Sequence, residues 1–276
     1  MIDQTDEFGR YAPSPVVDWL YGVMNRIYKQ GYVGRRAFGR LYWLERLFAA
    51  RQRTVVDVQR FGLHWRLHRF GNVSESRLLR RPDSFEAEEI AFILDLAVGN
   101  FIFIDVGANC GYWSLRIAKK LAGKGSVIAI EPQPVMLERL QFNARINALH
   151  LNHILGCTVG IQSGTAMLKL DERNLGRSRV SDTGSLCVEM RTLLEIVEWA
   201  ALNHVDAIKV DVEGHEDRVL EPFLRNAVDA LLPKVIVAEC SWSASWEDDW
   251  LTCARERGYR EIKRTRHHNV ILVREG

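Results

Sequence analysis

The chain has no apolar run near the roughly 18 residues that a membrane-spanning helix needs. Its opening, Met-Ile-Asp-Gln-Thr-Asp-Glu, is acidic and lacks the apolar stretch of a secretory signal. Cysteine is sparse: Cys110, Cys157, Cys187, Cys240 and Cys253 are odd in number and show no CxxC or Cys/His ligand spacing. That excludes a disulfide scaffold and a zinc ribbon, and reads as reduced thiols in a cytoplasmic protein. Burial is the expected role of all of them except Cys110, which lies in a glycine-rich loop. There is no internal repeat, no low-complexity tract and no G-x-G-x-x-G dinucleotide fingerprint. Net charge is nearly absent too, with 37 Lys and Arg against 35 Asp and Glu.

What remains is ordinary globular material. The 276 residues are 47% hydrophobic and 26% charged, which excludes a collagen, a coiled-coil rod and a wholly disordered chain. A chain this long buries about 70–75% of its unfolded surface and needs no staple. The small net charge hides an asymmetry. Residues 1–82 carry fifteen basic against seven acidic side chains, and residues 83–276 carry twenty-two against twenty-eight. The break at Arg80-Arg81-Pro82-Asp83 suggests a basic N-terminal part, 1–82, and a core, 83–276.

The N-terminal part offers two amphipathic helices, Val16 to Tyr28 after Pro13 and Pro15, and Arg36 to Arg53. The second sets Phe38, Leu41, Tyr42, Leu44 and Leu47-Phe48 among five arginines. Residues 13–53 thus suit peripheral contact with a membrane or an acidic partner. Packing on the core or a homo-oligomer interface is the plainer reading of aromatics at helical spacing. Val55 to Arg69 alternates on both sides of Gly62 and reads as a β-hairpin.

From residue 100 strands and helices alternate. Strands are expected at Phe101–Val106, Val127–Ile130, Ile154-Leu155, Ala166–Leu170, Ala207–Val210 and Val235–Ala238. Helices are expected at Trp113–Ala122, Val135–Leu149, Leu193–Leu202, from about His215, and at Trp250–Arg257. Tyr259–Lys263 and Val270–Val273 close the chain as a hairpin. The pattern is α/β, with a mostly parallel sheet, helices on both faces and an antiparallel edge. In such a sheet a ligand sits beyond the carboxyl ends of the strands. The residues after the first, second and fourth strands are therefore the place to look.

After the first strand comes Asp105-Val106-Gly107-Ala108-Asn109-Cys110-Gly111, a D-x-G-x-N-x-G loop ahead of a helix. Gly107 permits a sharp turn and Gly111 a close approach. The second strand ends at Glu131-Pro132, where a carboxylate can accept both hydroxyls of a ribose. The fourth runs into Ile208-Lys209-Val210-Asp211-Val212-Glu213-Gly214-His215-Glu216, which sets two carboxylates and an imidazole at the same rim. Glu213 and Glu216 also suit a helix N-terminus, whereas Asp211 reads as functional. Asn174 to Arg179, and Ser241-Trp242-Ser243-Ala244-Ser245-Trp246 after the fifth strand, are further loops near the rim. The two indoles suit stacking on a sugar, a lid, or packing against the next helix.

These three segments, most specifically the last, resemble the FkbM family of S-adenosylmethionine-dependent methyltransferases, over about residues 55–240. Leu194 and Cys110 depart from the usual family pattern, and neither carries an assigned chemical role. The resemblance implies a class I methyltransferase fold with a seven-stranded sheet and an antiparallel final strand. It implies S-adenosylmethionine as cofactor and O-methylation of a sugar, glycan or polyketide-type hydroxyl. Asp105, Gly107, Asn109 and Gly111 would surround the methionine part of that cofactor. Glu131 would hold the ribose, and Thr158 and Val159 would line the adenine. Asp211, Glu213 and His215 would face the acceptor, with Asp211 and His215 as candidate bases. Asp211 with Glu213 could instead take a divalent cation, but no complete ligand set is visible and no metal is assigned. Other readings stay open. A nucleic-acid methyltransferase would use the basic N-terminal part, although no RNA-binding motif is found. A dehydrogenase is opposed by Asn109 at the middle glycine. A non-catalytic scaffold is opposed by the intact Gly107, Gly111, Glu131 and Asp211.

Overall fold

The computed structural model describes residues 6–49, 54–241 and 243–275. Two helices come first, α1 (Pro15–Tyr28) and α2 (Gly31–Ala49), then a hairpin of β1 (Val55–Arg60) and β2 (Leu63–His68). Phe61 and Gly62, at φ 54° and 67°, form its two-residue turn, as a tight hairpin with right-handed twist requires. The Leu47 and Phe48 side chains and the expected helical residues 50–53 lie outside the described residues. Next are α3 (Val73–Arg80) and α4 (Ala87–Leu96).

The core then runs β3 (Ile102–Val106), α5 (Tyr112–Leu121), β4 (Ser126–Ile130), α6 (Pro134–Ile146) and β5 (His153–Leu155). β6 (Thr158–Val159), β7 (Gly164–Lys169), β8 (Arg179–Val180) and β9 (Leu186–Arg191) follow. After them come α7 (Leu193–Trp199), β10 (Ala207–Val210), α8 (Glu216–Asn226), β11 (Val235–Glu239), α9 (Trp250–Glu256), β12 (Tyr259–Arg264) and β13 (Asn269–Arg274).

Seven strands form one sheet in the order β12-β13-β11-β10-β3-β4-β5. Its central strands are parallel, and β13 runs antiparallel to both β11 and β12. This is the class I methyltransferase arrangement. The strand at Ala166–Leu170 does not join it. β7 belongs to a second sheet, β6-β9-β7-β8. Its strands are largely exposed, so they lack the continuous apolar run of a doubly buried strand.

The near-continuous apolar strands of the main sheet follow from cover on both faces. Ile104, Val106, Ile208, Val210 and Ile236 pack against α7, α8 and α9. Phe103, Val127, Ala129 and Val237 face the other way. They share one cluster with α5, the hairpin residues Trp65 and Leu67, Leu78 and Leu79 of α3, and Tyr21 and Met24 of α1. Phe38, Leu41 and Tyr42 of α2 also pack there, while Trp19, Tyr32 and Trp43 point outward. The basic N-terminal part therefore supplies one wall of the sheet's core, and the 82/83 break falls inside a short turn, Pro82–Ser84, that follows α3. Among the described residues no helix is long and apolar enough to cross a membrane. All five cysteines are free, and Cys187 is exposed on β9 rather than buried.

A buried polar network ties this wall to the core. Glu75 accepts from Arg139 of α6, from the His68 backbone at 3.2 Å and sits 3.0 Å from His68 Nδ1. Its own N–H donates to Asn72 Oδ1 at 2.9 Å, the cap of α3. Removing one partner of a buried ion pair strands the other charge, at a cost of about 3–5 kcal/mol. Glu75→Ala is expected to lose stability of that size in urea unfolding. A loss below about 1 kcal/mol would show that Arg139 readily finds water or another partner.

Candidate active site

The sheet order reverses beside β3, which has β10 on one side and β4 on the other. The crevice at such a reversal is where open α/β sheets hold ligands. A cavity of about 350 Å3 lies there, over the carboxyl ends of β3, β4, β10 and β11. It falls in the size range of small-molecule sites.

The glycine loop forms its floor. Gly107 N and Ala108 N donate to Ile130 O at 2.9 and 3.0 Å, which folds the loop across the end of β4. Gly107 has φ 82°, and a Cβ built there would sit 2.0 Å from Asp211 O. No other residue fits, because the loops after β3 and β10 meet backbone to backbone. Asn109, at φ 54°, offers its N–H to Glu131 Oε2 at 2.7 Å. Gln133 N donates to the other oxygen at 2.9 Å. Each Glu131 oxygen then keeps a lone pair for a further donor. Burial pushes the Glu131 carboxyl up to about 7, against the pull of those two N–H groups.

Of the expected cofactor residues, Gly107, Asn109, Glu131, Thr158 and Val159 line the cavity. Asp105 and Gly111 stand behind its wall. Asp105 Oδ2 accepts from Ser114 N and Oγ at 3.1 and 2.6 Å, anchoring the start of α5. Gly111, at φ 94°, packs against Leu140 and Leu115, where a Cβ would come within 2.5 Å. Both shape the loop rather than border the space.

Asp211, Glu213 and His215 all line the opposite side. His215 Nε2 lies 3.0 Å from Val180 O. A carbonyl can only accept, so Nε2 carries the proton and Nδ1 is the ring's acceptor. Trp246 donates its indole N–H to Glu216 at 3.1 Å and meets Trp250 edge-on at 5.7 Å. It packs the adjoining helices, and Trp242 lies outside the described residues.

Three cavity residues were not singled out from the sequence as site groups. Glu239 ends β11 and comes together with Asp211 and Glu213, with ligand oxygens within 4.8 Å of one another. Burial and then the charges of Asp211, Glu213 and Glu216 push its carboxyl up to about 8. The signal was available, since the fifth strand ends at the same rim as the fourth. Glu86, at φ 44° before α4, is pushed up to about 7 by burial and accepts from Trp113 Nε1 at 2.6 Å. Lys209 lies inside β10, and its ammonium reaches Asp211 Oδ2 at 3.1 Å and Gly107 O at 3.3 Å. Burial alone would favour its neutral form, but the carboxylates of Asp211, Asp105 and Glu86 outweigh that and hold it charged.

Backbone strain gathers here as well. Glu86, Asn109, Glu213 and His268 all line the cavity with positive φ. Non-glycine residues held so cost about 1–3 kcal/mol each and cluster at functional sites.

A profile of the methyltransferase FkbM domain matches residues 105–261, more than half of the chain. The chain belongs to the FkbM methyltransferase family. The matched family is one of S-adenosylmethionine-dependent methyltransferases. The donor set fits that cofactor, since Glu131 presents two spare acceptor sites for a ribose diol beside a glycine loop. A curated relative, the hexuronic acid methyltransferase AglP of Haloferax volcanii, is 27% identical over 139 residues, 49% of this chain and 55% of its own length. The chain thus spans about half the length of that relative. Trm5b of Pyrococcus abyssi overlaps 80% of this chain and 55% of its own at 17% identity and TM-score 0.42. A precorrin-6y C5,15-methyltransferase of Geobacter metallireducens overlaps 75% and 95% at 14% identity and TM-score 0.42.

The raised carboxyl of Glu239 has a consequence for stability. A carboxyl whose folded pKa exceeds its unfolded value binds its proton more tightly when folded, so its contribution is lost as pH rises. Relative to Glu239→Gln, the wild-type FkbM protein is expected to lose stability from about pH 4.5 through about pH 8, as read from thermal midpoints. A difference that stays flat across this window would contradict the placement of Glu239 beside Asp211 and Glu213.

Proposed function

We propose that this FkbM protein transfers a methyl group from S-adenosylmethionine to a hydroxyl oxygen of a sugar or glycan. One observation carries the reading. The glycine loop with Glu131 and the group of Asp211, Glu213, His215 and Glu239 face each other across a single cavity. The first half suits the donor and the second suits an acceptor whose proton must leave. The activity named for the Haloferax volcanii relative, methylation of a hexuronic acid, supports a sugar acceptor.

Bound S-adenosylmethionine supplies an electrophilic methyl carbon on a sulfonium. Glu131 would hold the ribose hydroxyls, Gly107 and Asn109 would border the methionine end, and Thr158 and Val159 would flank the adenine. Lys209 donates to Asp211 Oδ2 at 3.1 Å and fixes that carboxyl in place, so Asp211 would accept a hydrogen bond from the reacting hydroxyl and orient it. His215 Nδ1 would take the proton as the oxygen–carbon bond forms and the carbon–sulfur bond breaks. The protein's main contribution is then to hold two reactants at an attack distance of roughly 3–3.5 Å, with general-base help of about 10²–10⁴-fold.

The three clustered carboxylates have a spacing that a divalent cation could use. Asp211 already has the Lys209 ammonium on one oxygen, and burial with neighbouring charge favours a protonated Glu239. The cluster is therefore balanced by protons and Lys209. Methyl transfer is expected to survive EDTA, whereas a loss restored by magnesium would assign the cluster to a cation.

The test is incubation with S-adenosylmethionine and simple hexose and hexuronic acid glycosides, reading methyl ether formation by NMR. His215→Ala and Asp211→Asn are each expected to lower turnover by at least about a hundredfold. Products methylated on carbon or nitrogen, or full turnover in both variants, would contradict the reading.

A further inference from the structure

The mouth of the cavity differs in charge from the side that carries Asp211, Glu213 and Glu239. Arg77 on α3, Arg177 in the loop before β8 and Arg266 in the turn between β12 and β13 all line it. Among the described residues none of the three side chains has a hydrogen bond or ion pair to a carboxylate. Buried arginines elsewhere are matched. Arg66 meets Asp57 at 2.8 Å, Arg80 meets Glu45 at 2.8 Å, and Arg139 pairs with Glu75.

Arg77 breaks that pattern. Its Nε is buried with no acceptor, as are those of Arg69 and Arg139, but those two pair with Glu45 and Glu75 through their other nitrogens, and Arg77 pairs with no carboxylate among the described residues. The Arg77 guanidinium lies 5.7 Å from the centre of the Phe85 ring. A buried donor left unpaired costs about 1–3 kcal/mol. Other cations crowd it. Arg77 and Arg266 both act, behind burial, to disfavour the charged forms of Arg81 and His267. His267 turns its Nε2 to Ser84 O at 3.1 Å, so that nitrogen is a donor as well. Glu88, which feels the charge of Arg266, is paired with Lys263. Guanidinium groups gathered at the edge of a cavity lack an anion that this part of the fold does not provide.

We infer that the cavity mouth is an anion subsite, in which Arg77 and Arg266 grip a carboxylate or phosphate carried by the acceptor. A guanidinium is matched to such groups by its planar, two-pronged donors. The opposite side strengthens the selection. It brings together the carboxyl groups of Asp211, Glu213 and Glu239 and is a poor seat for an anion, so an acceptor with a negative group at one end and a hydroxyl at the other enters in one orientation. Its charge stays at Arg77 and Arg266, and its hydroxyl reaches Asp211 and His215. This rests on the acceptor reading of the cavity and adds the chemical class of the acceptor to it.

The test is calorimetric titration of three probes into the full chain saturated with S-adenosylhomocysteine: methyl β-D-glucuronide, methyl β-D-glucoside and glucose 6-phosphate. Variants Arg77→Gln and Arg266→Gln are compared with the wild type. Arg266 is on an exposed turn, so its variant keeps the test alive if Arg77→Gln misfolds. The subsite predicts that an anionic probe binds at least about tenfold tighter than the neutral glucoside. Each variant should erase that preference and leave S-adenosylhomocysteine affinity unchanged. Preference for the glucuronide assigns a carboxylate, and preference for the phosphate assigns a phosphoryl group. Equal binding of the neutral sugar, anion binding indifferent to both substitutions, or no saturable anion binding would overturn the inference. Failure of S-adenosylhomocysteine itself to bind would strike the donor site instead, and the sugar titrations alone would still decide the subsite.

Discussion

The ammonium of Lys209 is the charge around which the rim of the sheet is arranged. It is buried at the centre of the sheet and reaches Gly107 O and Asp211 Oδ2. Two loops from neighbouring strands are thereby tied together at the point where Gly107 and Asp211 meet backbone to backbone. A lone buried ammonium would shed its proton; this one is held charged because Asp211, Asp105 and Glu86 surround it. The same charge steadies those carboxylates.

The rim also depends on the N-terminal part. α3 reaches the glycine loop through Asn72, whose Nδ2 donates to Asn109 Oδ1 at 2.9 Å. Val73 N donates to Asn174 Oδ1, and Leu175 N to Gly71 O, so the segment after β7 is fastened over the same opening. The wall that buries one face of the sheet thus also carries Arg77 to the cavity mouth. A charge pattern that reads in the sequence as a basic appendage is, in space, partly matched inside the core by Glu45, Asp57 and Glu75 and partly turned toward the cavity.

Much of this was legible because parallel strands that are covered on both faces leave short apolar runs, and the residues directly after them face a ligand. Asp105 to Gly111, Glu131 and Asp211 to His215 were found that way. The main sheet and its closing hairpin followed from the same alternation. What stayed hidden depends on side chains that cross between elements. Lys209 sits mid-strand, where a charged residue carries no sign of which loop it reaches. Glu239 was passed over although its strand ends at the same rim. Glu86 is set by an unusual φ before α4, which composition does not reveal. Arg77 looks like one more cation in a basic segment until its buried, unpaired Nε is seen. Conversely, Asp105 and Gly111 carry the family motif yet build the turn from behind, because Ser114 and Leu140 claim their neighbourhoods.

The account turns on Glu131 and the glycine loop forming a donor site that Lys209 holds in shape. Calorimetric titration of S-adenosylmethionine into wild type, Glu131→Ala and Lys209→Met tests this most directly, with near-ultraviolet circular dichroism as a check on folding. Saturable binding by the wild type, weakened at least about tenfold in both folded variants, is the predicted result. Unchanged affinity in both folded variants, or no binding to well-folded wild type, would contradict it.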